Sequence, residues 1–171
     1  MTQNRMYRFT LGLLLVMLNI SCDQLSKKEV RENIASHEKV QVVNDNFILT
    51  KVENTGAALS FGASFPPIVK TLIFQILPLL ILIYMFYYLM QKKEISRLSF
   101  VAISFIIGGG IGNIIDRVLY NSVTDFMYME VGPLHTGIFN MADVSVTVGA
   151  IALVFNALVP EKFLKKQSVQ S

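Results

Sequence analysis

Many of the side chains that could do chemistry in this chain stand where an apolar segment begins or ends. Carboxylates gathered in one place can act as a general acid and a general base. An ionised group at the centre of a membrane helix costs about 2.5–3.5 kcal/mol, so each one in an apolar region needs a physical reason. The groups concerned are Asp23, Lys27, Asn113, Asp116, Arg117, Asp125, Asn140 and Asp143.

Two of the spacings among these residues have a direct structural meaning. Asp23 and Lys27 are four residues apart, so on a helix they share a face and can pair, which in isolation indicates a simple ion pair at a helix end. Asn140 and Asp143 are three apart, which is the spacing of an N-cap residue and its capping-box partner. For this second pair, capping and catalysis are both open.

The elements that must position these groups are membrane helices. Of the 171 residues, 53% are hydrophobic and only 16% are charged, which is typical of a membrane protein. Several apolar segments approach the roughly 20 residues needed to cross a bilayer. They are Tyr7–Cys22, Pro67–Met90, Leu98–Ile115 and Phe139–Val159. The first resembles a cleaved leader, but one leader cannot explain three later segments.

The sequence therefore predicts an all-α integral membrane protein, a bundle of four transmembrane helices in a single domain over residues 1–171. We expect the helices at about 7–25, 67–90, 98–116 and 139–159, with outer loops at 28–64 and 118–138 and a tail at 160–171. Gly108 and Gly112 have the small-xxx-small spacing that lets membrane helices approach closely. This glycine run lacks the Gly-Lys-Ser/Thr ending of a phosphate loop.

The first outer loop carries a strand pattern. Val40–Val43, a turn at 44–46 and Phe47–Val52 predict a β-hairpin, part of a small sheet outside the bundle. Residues 28–37 either extend the first helix or form a short surface helix. The loop is too short to bury a core of its own, so we expect it to lie against the bundle or the membrane.

Orientation follows from basic residues in short flanking segments. They cluster at the amino terminus, between the second and third helices, and in the tail. The residues are Arg5, Arg8, Lys92, Lys93, Arg97, Lys162, Lys165 and Lys166. Both termini are therefore predicted to be cytoplasmic, which places the polar groups described above at the outer boundary. Such convergence is what an active site at a membrane surface requires.

Other classes of site find little support. Cys22 is the only cysteine, and His37 and His135 are the only histidines, without metal-ligand spacing, so we expect no metal and no cofactor. The net charge of +3 comes from short clusters beside apolar segments and does not indicate a nucleic-acid partner.

Five stretches, in order along the chain, carry a resemblance to a known family. They are Asp23-Gln-Leu-Ser-Lys27, Asn54-Thr-Gly-Ala-Ala-Leu-Ser60, Gly112-Asn-Ile-Ile-Asp-Arg117, Val123-Thr-Asp-Phe126 and Phe139-Asn-Met-Ala-Asp143. Together they resemble the motifs of lipoprotein signal peptidases, over nearly the whole chain. The segment Met127–Ile138 departs from the family because it has no tryptophan and contains Gly132-Pro133.

The resemblance implies that Asp125 and Asp143 are the catalytic residues of an aspartic endopeptidase, with Asp116 structural. It also implies a set of substrate-binding or supporting residues: Asp23, Lys27, Asn54, Gly56, Asn113, Arg117 and Asn140. Asp143, near the positive end of the fourth helix, is the better candidate for the ionised member of the pair.

The implied substrates are bacterial prolipoproteins with a diacylglyceryl-modified cysteine, cleaved immediately before that cysteine. The expected location is the bacterial cytoplasmic (inner) membrane, in contact with membrane lipid, with the active site on the extracytoplasmic face. Inhibition by globomycin-type cyclic peptides is also implied.

Three alternatives remain open from the sequence. A transporter or proton-pathway subunit would also place aspartates in membrane helices, although distributed through the membrane depth. A serine-dependent membrane peptidase would need a nucleophile motif, and Gly-x-Ser-Gly is absent. A lipoprotein or assembly factor modified at Cys22 would usually have leucine three positions earlier, where this chain has Asn19.

Overall fold

The computed structural model describes residues 5–44, 46–57, 60–92 and 94–158. Within them lie helices α1 (Arg5–Asn33), α2 (Pro67–Gln91), α3 (Arg97–Tyr120) and α4 (Met141–Leu158). All are long and apolar enough to cross a membrane, which confirms the prediction of four such helices. The described residues do not include Lys93 or the tail at 160–171, which contains Lys162, Lys165 and Lys166. The orientation therefore stays a prediction.

Two helices continue past their apolar segments. Helix α1 runs unbroken to Asn33, so residues 28–33 extend it and do not form a separate surface helix. Arg31 in its last turn contacts the Asp116 carboxylate at 3.5 Å, which holds this extension against α3. Helix α3 continues to Tyr120 and ends where Asn121 adopts a left-handed conformation, with φ of 57°.

A four-stranded antiparallel sheet lies at the end of the bundle where α1 and α3 terminate. Its strands are β1 (Val40–Val43), β2 (Phe47–Asn54), β3 (Val123–Val131) and β4 (Leu134–His135), in that spatial order. Strands β1 and β2 form the predicted hairpin, although Asp45 in its turn lies outside the described residues.

Strand β3 corrects the expected loop at 118–138. It pairs with β2 in a register that places Asp125 opposite Val52 and Val123 opposite Asn54. This pairing joins segments about 70 residues apart in sequence, so no local pattern indicated it. The pairing brings Asn54 and Asp125 to the same edge of the fold.

Helix α3 occupies the centre of the bundle because its glycines let the neighbouring helices approach. A Cβ at Gly108 would lie 2.6 Å from the Cβ of Asn19, and one at Gly112 would lie 2.6 Å from Asp23 Oδ2. Gly109 faces the carbonyl of Ala142 on α4 in the same way. The structure thus confirms the packing interpretation of the glycine run, and it places the outer end of α3 between α1 and α4.

The sheet is fixed to the bundle by a small apolar cluster. Val30 of α1 packs with Phe126 and Met127 of β3, all of them buried. Phe139 closes the other side, since its backbone exchanges hydrogen bonds with Met127 at 2.8 and 2.9 Å. These contacts set the position of β3 relative to the start of α4.

Candidate active site

Asp125 and Asp143 line one cavity of about 460 Å³ at the sheet end of the bundle. Asp125 comes from β3, and Asp143 comes from the first turn of α4. Asn54, Asn113 and Arg117 also line this cavity, so the fold gathers residues from four separate segments of the chain. The two aspartates that the family motifs single out therefore share one concave surface.

Each oxygen of the Asp125 carboxylate accepts a hydrogen bond from an amide. Asn140 donates from Nδ2 to Oδ1 at 2.6 Å, and Asn54 donates from Nδ2 to Oδ2 at 3.0 Å. Asn54 is itself fixed, because its Oδ1 accepts from the Gly56 amide at 2.9 Å and its Nδ2 also donates to the Ala57 carbonyl at 3.1 Å. Asp125 is thus held in one orientation.

Gly56 is required by this loop. A Cβ at this position would lie 2.8 Å from the Ser60 carbonyl oxygen and would overlap the carbonyl of Phe61. The Gly56 carbonyl also accepts a hydrogen bond from Arg117 Nη2 at 2.9 Å. Arg117 Nη1 donates to the Asn113 carbonyl at 3.2 Å, so the guanidinium ties the loop to α3 while it lines the cavity.

Asp143 both caps α4 and lines the cavity. Its Oδ2 accepts from the Asn140 backbone amide at 3.1 Å, and its own amide donates to Asn140 Oδ1 at 3.0 Å. This reciprocal pair is the capping box that the spacing indicated. The second oxygen, Oδ1, accepts from Asn113 Nδ2 at 2.9 Å. The capping role therefore does not remove Asp143 from the cavity.

Asn113 and Asn140 connect the two aspartates to a buried cation. Asn113 Oδ1 accepts hydrogen bonds from Asn140 Nδ2 at 3.1 Å and from Lys27 Nζ at 2.9 Å. Because each side-chain amide has its donors and acceptor in fixed positions, this chain of contacts sets how the amides face Asp125 and Asp143.

Lys27 lies at the centre of a fully buried charge cluster. Its Nζ is 2.8 Å from Asp23 Oδ2 and 3.2 Å from Asp116 Oδ2, with all three side chains inaccessible to solvent. The predicted pairing of Asp23 with Lys27 is therefore confirmed. Asp23 Oδ1 also accepts from the Ala142 amide at 2.9 Å, which fixes α1 to the start of α4.

Asp116 is connected differently from the residues of the cavity. Its carboxylate contacts Lys27, Arg31 and the backbone amide of Thr124, at 3.2, 3.5 and 3.1 Å. It joins α1, α3 and β3, and it is not among the cavity-lining residues. This arrangement fits the structural role expected for it.

Burial raises the pKa of Asp125 from its ordinary value of 3.8 to about 6. Desolvation is the largest cause, and the charge of Asp143 adds to it, while the hydrogen bond from Asn54 acts in the opposite direction. Asp125 therefore keeps its proton at a pH where an ordinary aspartate has lost it. A neutral and an ionised carboxyl group in one cavity can serve as acid and base.

Some residues of the site carried no chemical signal in the sequence. Gly137 and Ile138 line the cavity through a segment that the sequence predicted to be a loop. Gln24 donates to Asp23 Oδ2 at 3.0 Å and to Asp116 Oδ1 at 3.0 Å, which joins the two buried carboxylates. Only its place within the first motif could have indicated this role. Among the residues that the structure describes, no three His, Cys, Asp or Glu side chains are grouped as a metal site.

Comparison with known proteins decides the family. The model of a family described as signal peptidase (SPase) II matches residues 15–159 of the chain. The chain belongs to the signal peptidase II family. The resemblance inferred from the motifs is thus confirmed over most of the sequence.

Curated relatives and solved structures agree with this family. The "Lipoprotein signal peptidase" of Moorella thermoacetica is 34% identical over 151 residues, covering 86% of this chain and 93% of that protein. The protein of the same name from Bacillus pumilus is 31% identical, covering 91% and 97%. A solved structure described as a bacterial membrane enzyme superposes with a TM-score of 0.77 and 28% identity, covering 87% of this chain and 93% of the other. The two curated relatives match the chain over nearly their whole length, and the solved structure has the same fold.

Proposed function

We propose that the chain is an aspartic endopeptidase that removes signal peptides from diacylglyceryl-modified prolipoproteins, with Asp125 and Asp143 as its catalytic pair. The observation that carries this proposal is the cavity that both aspartates line at the end of the transmembrane bundle. Membership of the signal peptidase II family and the names of the relatives support the substrate class.

In the proposed mechanism, Asp125 is the protonated member of the pair and Asp143 is the ionised member. Burial favours the neutral form of Asp125. Asp143 lies in the first turn of α4, where the helix dipole favours negative charge. A water molecule in the cavity attacks the scissile carbonyl while Asp143 accepts its proton. Asp125 stabilises the developing oxyanion and later protonates the leaving amine.

The remaining motif residues are assigned to support and substrate contact. Asn54 and Asn140 orient Asp125, while Asn113 orients Asp143. Lys27 holds the Asn113 side chain from the buried side of the site, and Asp23 pairs with Lys27. Arg117 donates to the Gly56 carbonyl and closes the loop beside the cavity, and both residues are the proposed contacts for the substrate backbone.

The proposed location is the extracytoplasmic face of the bacterial cytoplasmic membrane, with both termini cytoplasmic. Cleavage immediately before the lipidated cysteine fits a cavity at the end of the spans, because the acyl chains can remain in the bilayer while the peptide enters the cavity. Only 6% of the most apolar stretch of α2 is buried inside the protein, so the surface of this helix is available to lipid. Globomycin-type peptides are the proposed inhibitors.

A transporter is less well supported. In the described parts of α1 to α4, aspartate and glutamate are confined to the end of the bundle that carries the sheet, whereas a proton relay needs such groups through the membrane depth. A Ser26–Lys27 nucleophile pair is not formed either. Ser26 Oγ donates to the Asp23 carbonyl at 2.8 Å, while Lys27 Nζ contacts Asp23 Oδ2 and Asn113.

The test is cleavage of a diacylglyceryl-modified precursor by the purified protein, with and without globomycin. Asp125→Asn and Asp143→Asn should each abolish release of the leader, because the amide keeps the shape and loses the titrating proton. Glu130→Gln is the matched control, since Glu130 is an exposed carboxylate on the same strand as Asp125. Full activity of either aspartate variant would contradict the proposal.

A further inference from the structure

A second cavity, of about 370 Å³, shares Arg117 with the cavity of the two aspartates but is lined by neither aspartate. It opens between the first turns of α2 and the end of α3. Its lining contains two cations together with hydroxyl and amide side chains, and no carboxylate. The lining residues are Thr55, Pro67, Lys70, Thr71, Phe74, Gln75, Arg117 and Asn121.

Lys70 is the least explained charge in this part of the fold. It is half-buried on a membrane helix, and within the described residues no carboxylate lies within ion-pair distance of its ammonium group. The nearby side chains of Thr71 and Gln75 make no hydrogen bond to any described residue either. A half-buried cation on an apolar helix is stabilised by an anionic partner, because its desolvation is otherwise uncompensated.

A local distortion of α2 shapes this cavity. Residues Leu72–Ile76 form a π-helical turn just before Pro78, whose missing amide cannot continue the normal hydrogen-bond pattern. The turn buries Phe74 against Arg117, with the guanidinium carbon 5.9 Å from the ring centroid. It leaves Lys70 and Gln75 at the rim of the same cavity.

The surface next to the cavity is apolar and exposed. Ile68, Leu72 and Ile76 of α2 are 70%, 51% and 44% exposed. In a helix that crosses a bilayer, such residues contact acyl chains. A ligand that fits both surfaces carries a negative group for the cavity and acyl chains for the helix.

We propose that this cavity binds the phosphate of an anionic membrane phospholipid, with Lys70 as its principal charged contact. The two cations supply charge-assisted hydrogen bonds to the phosphate oxygens, and the threonine, glutamine and asparagine side chains offer further donors. The diacylglyceryl group of the proposed substrate carries no phosphate, so this ligand is distinct from the substrate.

The experiment measures thermal unfolding of the full chain in nonionic micelles against rising concentrations of three probes. These are short-chain phosphatidylglycerol, a diacylglycerol with the same chains, and inorganic phosphate. Phosphatidylglycerol should raise the midpoint in a saturable way, and the diacylglycerol should not. If inorganic phosphate also raises the midpoint in a saturable way, the cavity is a phosphate site that takes free phosphate as well as the lipid. If inorganic phosphate has no effect, the ligand is the phospholipid headgroup.

Substitution then locates the site. Lys70→Gln should weaken phosphatidylglycerol binding about tenfold or more, as expected when a charge-assisted contact is lost. Lys28→Gln is the control, since Lys28 is exposed on α1, outside the cavity, and should bind as the unaltered chain does. Lys70→Arg keeps the charge and should retain binding, which serves as the reference if Lys70→Gln fails to fold.

An equal response to the diacylglycerol, or equal binding by the Lys70→Gln and Lys28→Gln variants, would overturn the proposal. So would loss of binding in a folded Lys70→Arg variant. Because none of these measurements depends on peptide cleavage, they remain decisive whether or not the proposed peptidase activity is found.

Discussion

The buried carboxyl group of Asp125 makes the stability of the protein depend on pH in an unusual direction. Most aspartates have a lower pKa in the folded state, but burial and the charge of Asp143 raise this one from 3.8 to about 6. Between these two values the folded chain holds a proton that the unfolded chain has released. The free energy of unfolding contributed by Asp125 therefore falls as pH rises through this window, and the loss is complete above about pH 6.

The size of the effect follows from the same values. A rise in pKa from 3.8 to about 6 corresponds to about 3 kcal/mol of unfolding free energy. In an Asp125→Asn variant this contribution disappears, because an amide does not titrate. The substituted amide places its NH₂ group against the donor of either Asn54 or Asn140, which adds a cost that is the same at every pH. The pH dependence separates the two effects.

The prediction is that the stability of Asp125→Asn relative to the unaltered protein rises by about 2–3 kcal/mol between pH 4 and pH 8. The measurement is equilibrium unfolding by urea in nonionic micelles at several pH values for both proteins. Groups that titrate in both proteins cancel in the difference. Glu130→Gln, which removes an exposed carboxylate from the same strand, should show no such trend.

A difference that stays constant from pH 4 to pH 8 would show that Asp125 titrates normally in the folded protein. A difference that falls with rising pH would show that its ionised form is stabilised. Either result would refute the reasoning that burial keeps Asp125 protonated, and with it the assignment of Asp125 as the acid of the catalytic pair.

Other predictions follow from single contacts. Lys27→Met leaves the two carboxylates that Lys27 contacts at 2.8 and 3.2 Å without their buried partner. The free energy of unfolding in urea should fall by about 3–5 kcal/mol, against less than about 0.5 kcal/mol for the exposed control Lys28→Met. Gly109→Ala inserts a methyl group against the Ala142 carbonyl and should cost about 1–3 kcal/mol in the same assay. Asn54→Ala removes a hydrogen bond that lowers the pKa of Asp125, so the alkaline limb of the pH profile of kcat/KM should move to higher pH. A limb that stays in place or moves to lower pH would contradict the proposed role of that hydrogen bond.

The sequence by itself determined the parts of this protein that depend on neighbours along the chain. The lengths of the apolar segments gave four membrane helices, because a span needs a continuous run of apolar residues. The Asp23–Lys27 pair and the Asn140–Asp143 capping box were also accessible, since their partners are four and three residues apart. The hairpin of β1 and β2 followed from its turn residues.

The family motifs indicated which residues belong to the site, but only the tertiary structure decided how they meet. The segment of β3 was expected to be a loop, because the strand depends on its pairing with the distant strand β2. The full length of α1 was not predicted either, because its last turn is held by the contact of Arg31 with Asp116. The hydrogen bond from Asn54 to Asp125 joins residues 71 positions apart, and the one from Lys27 to Asn113 spans 86 positions. Contacts at such separations depend on strand register and on the close approach of helices at glycine. No pattern of period two or four along the chain encodes them.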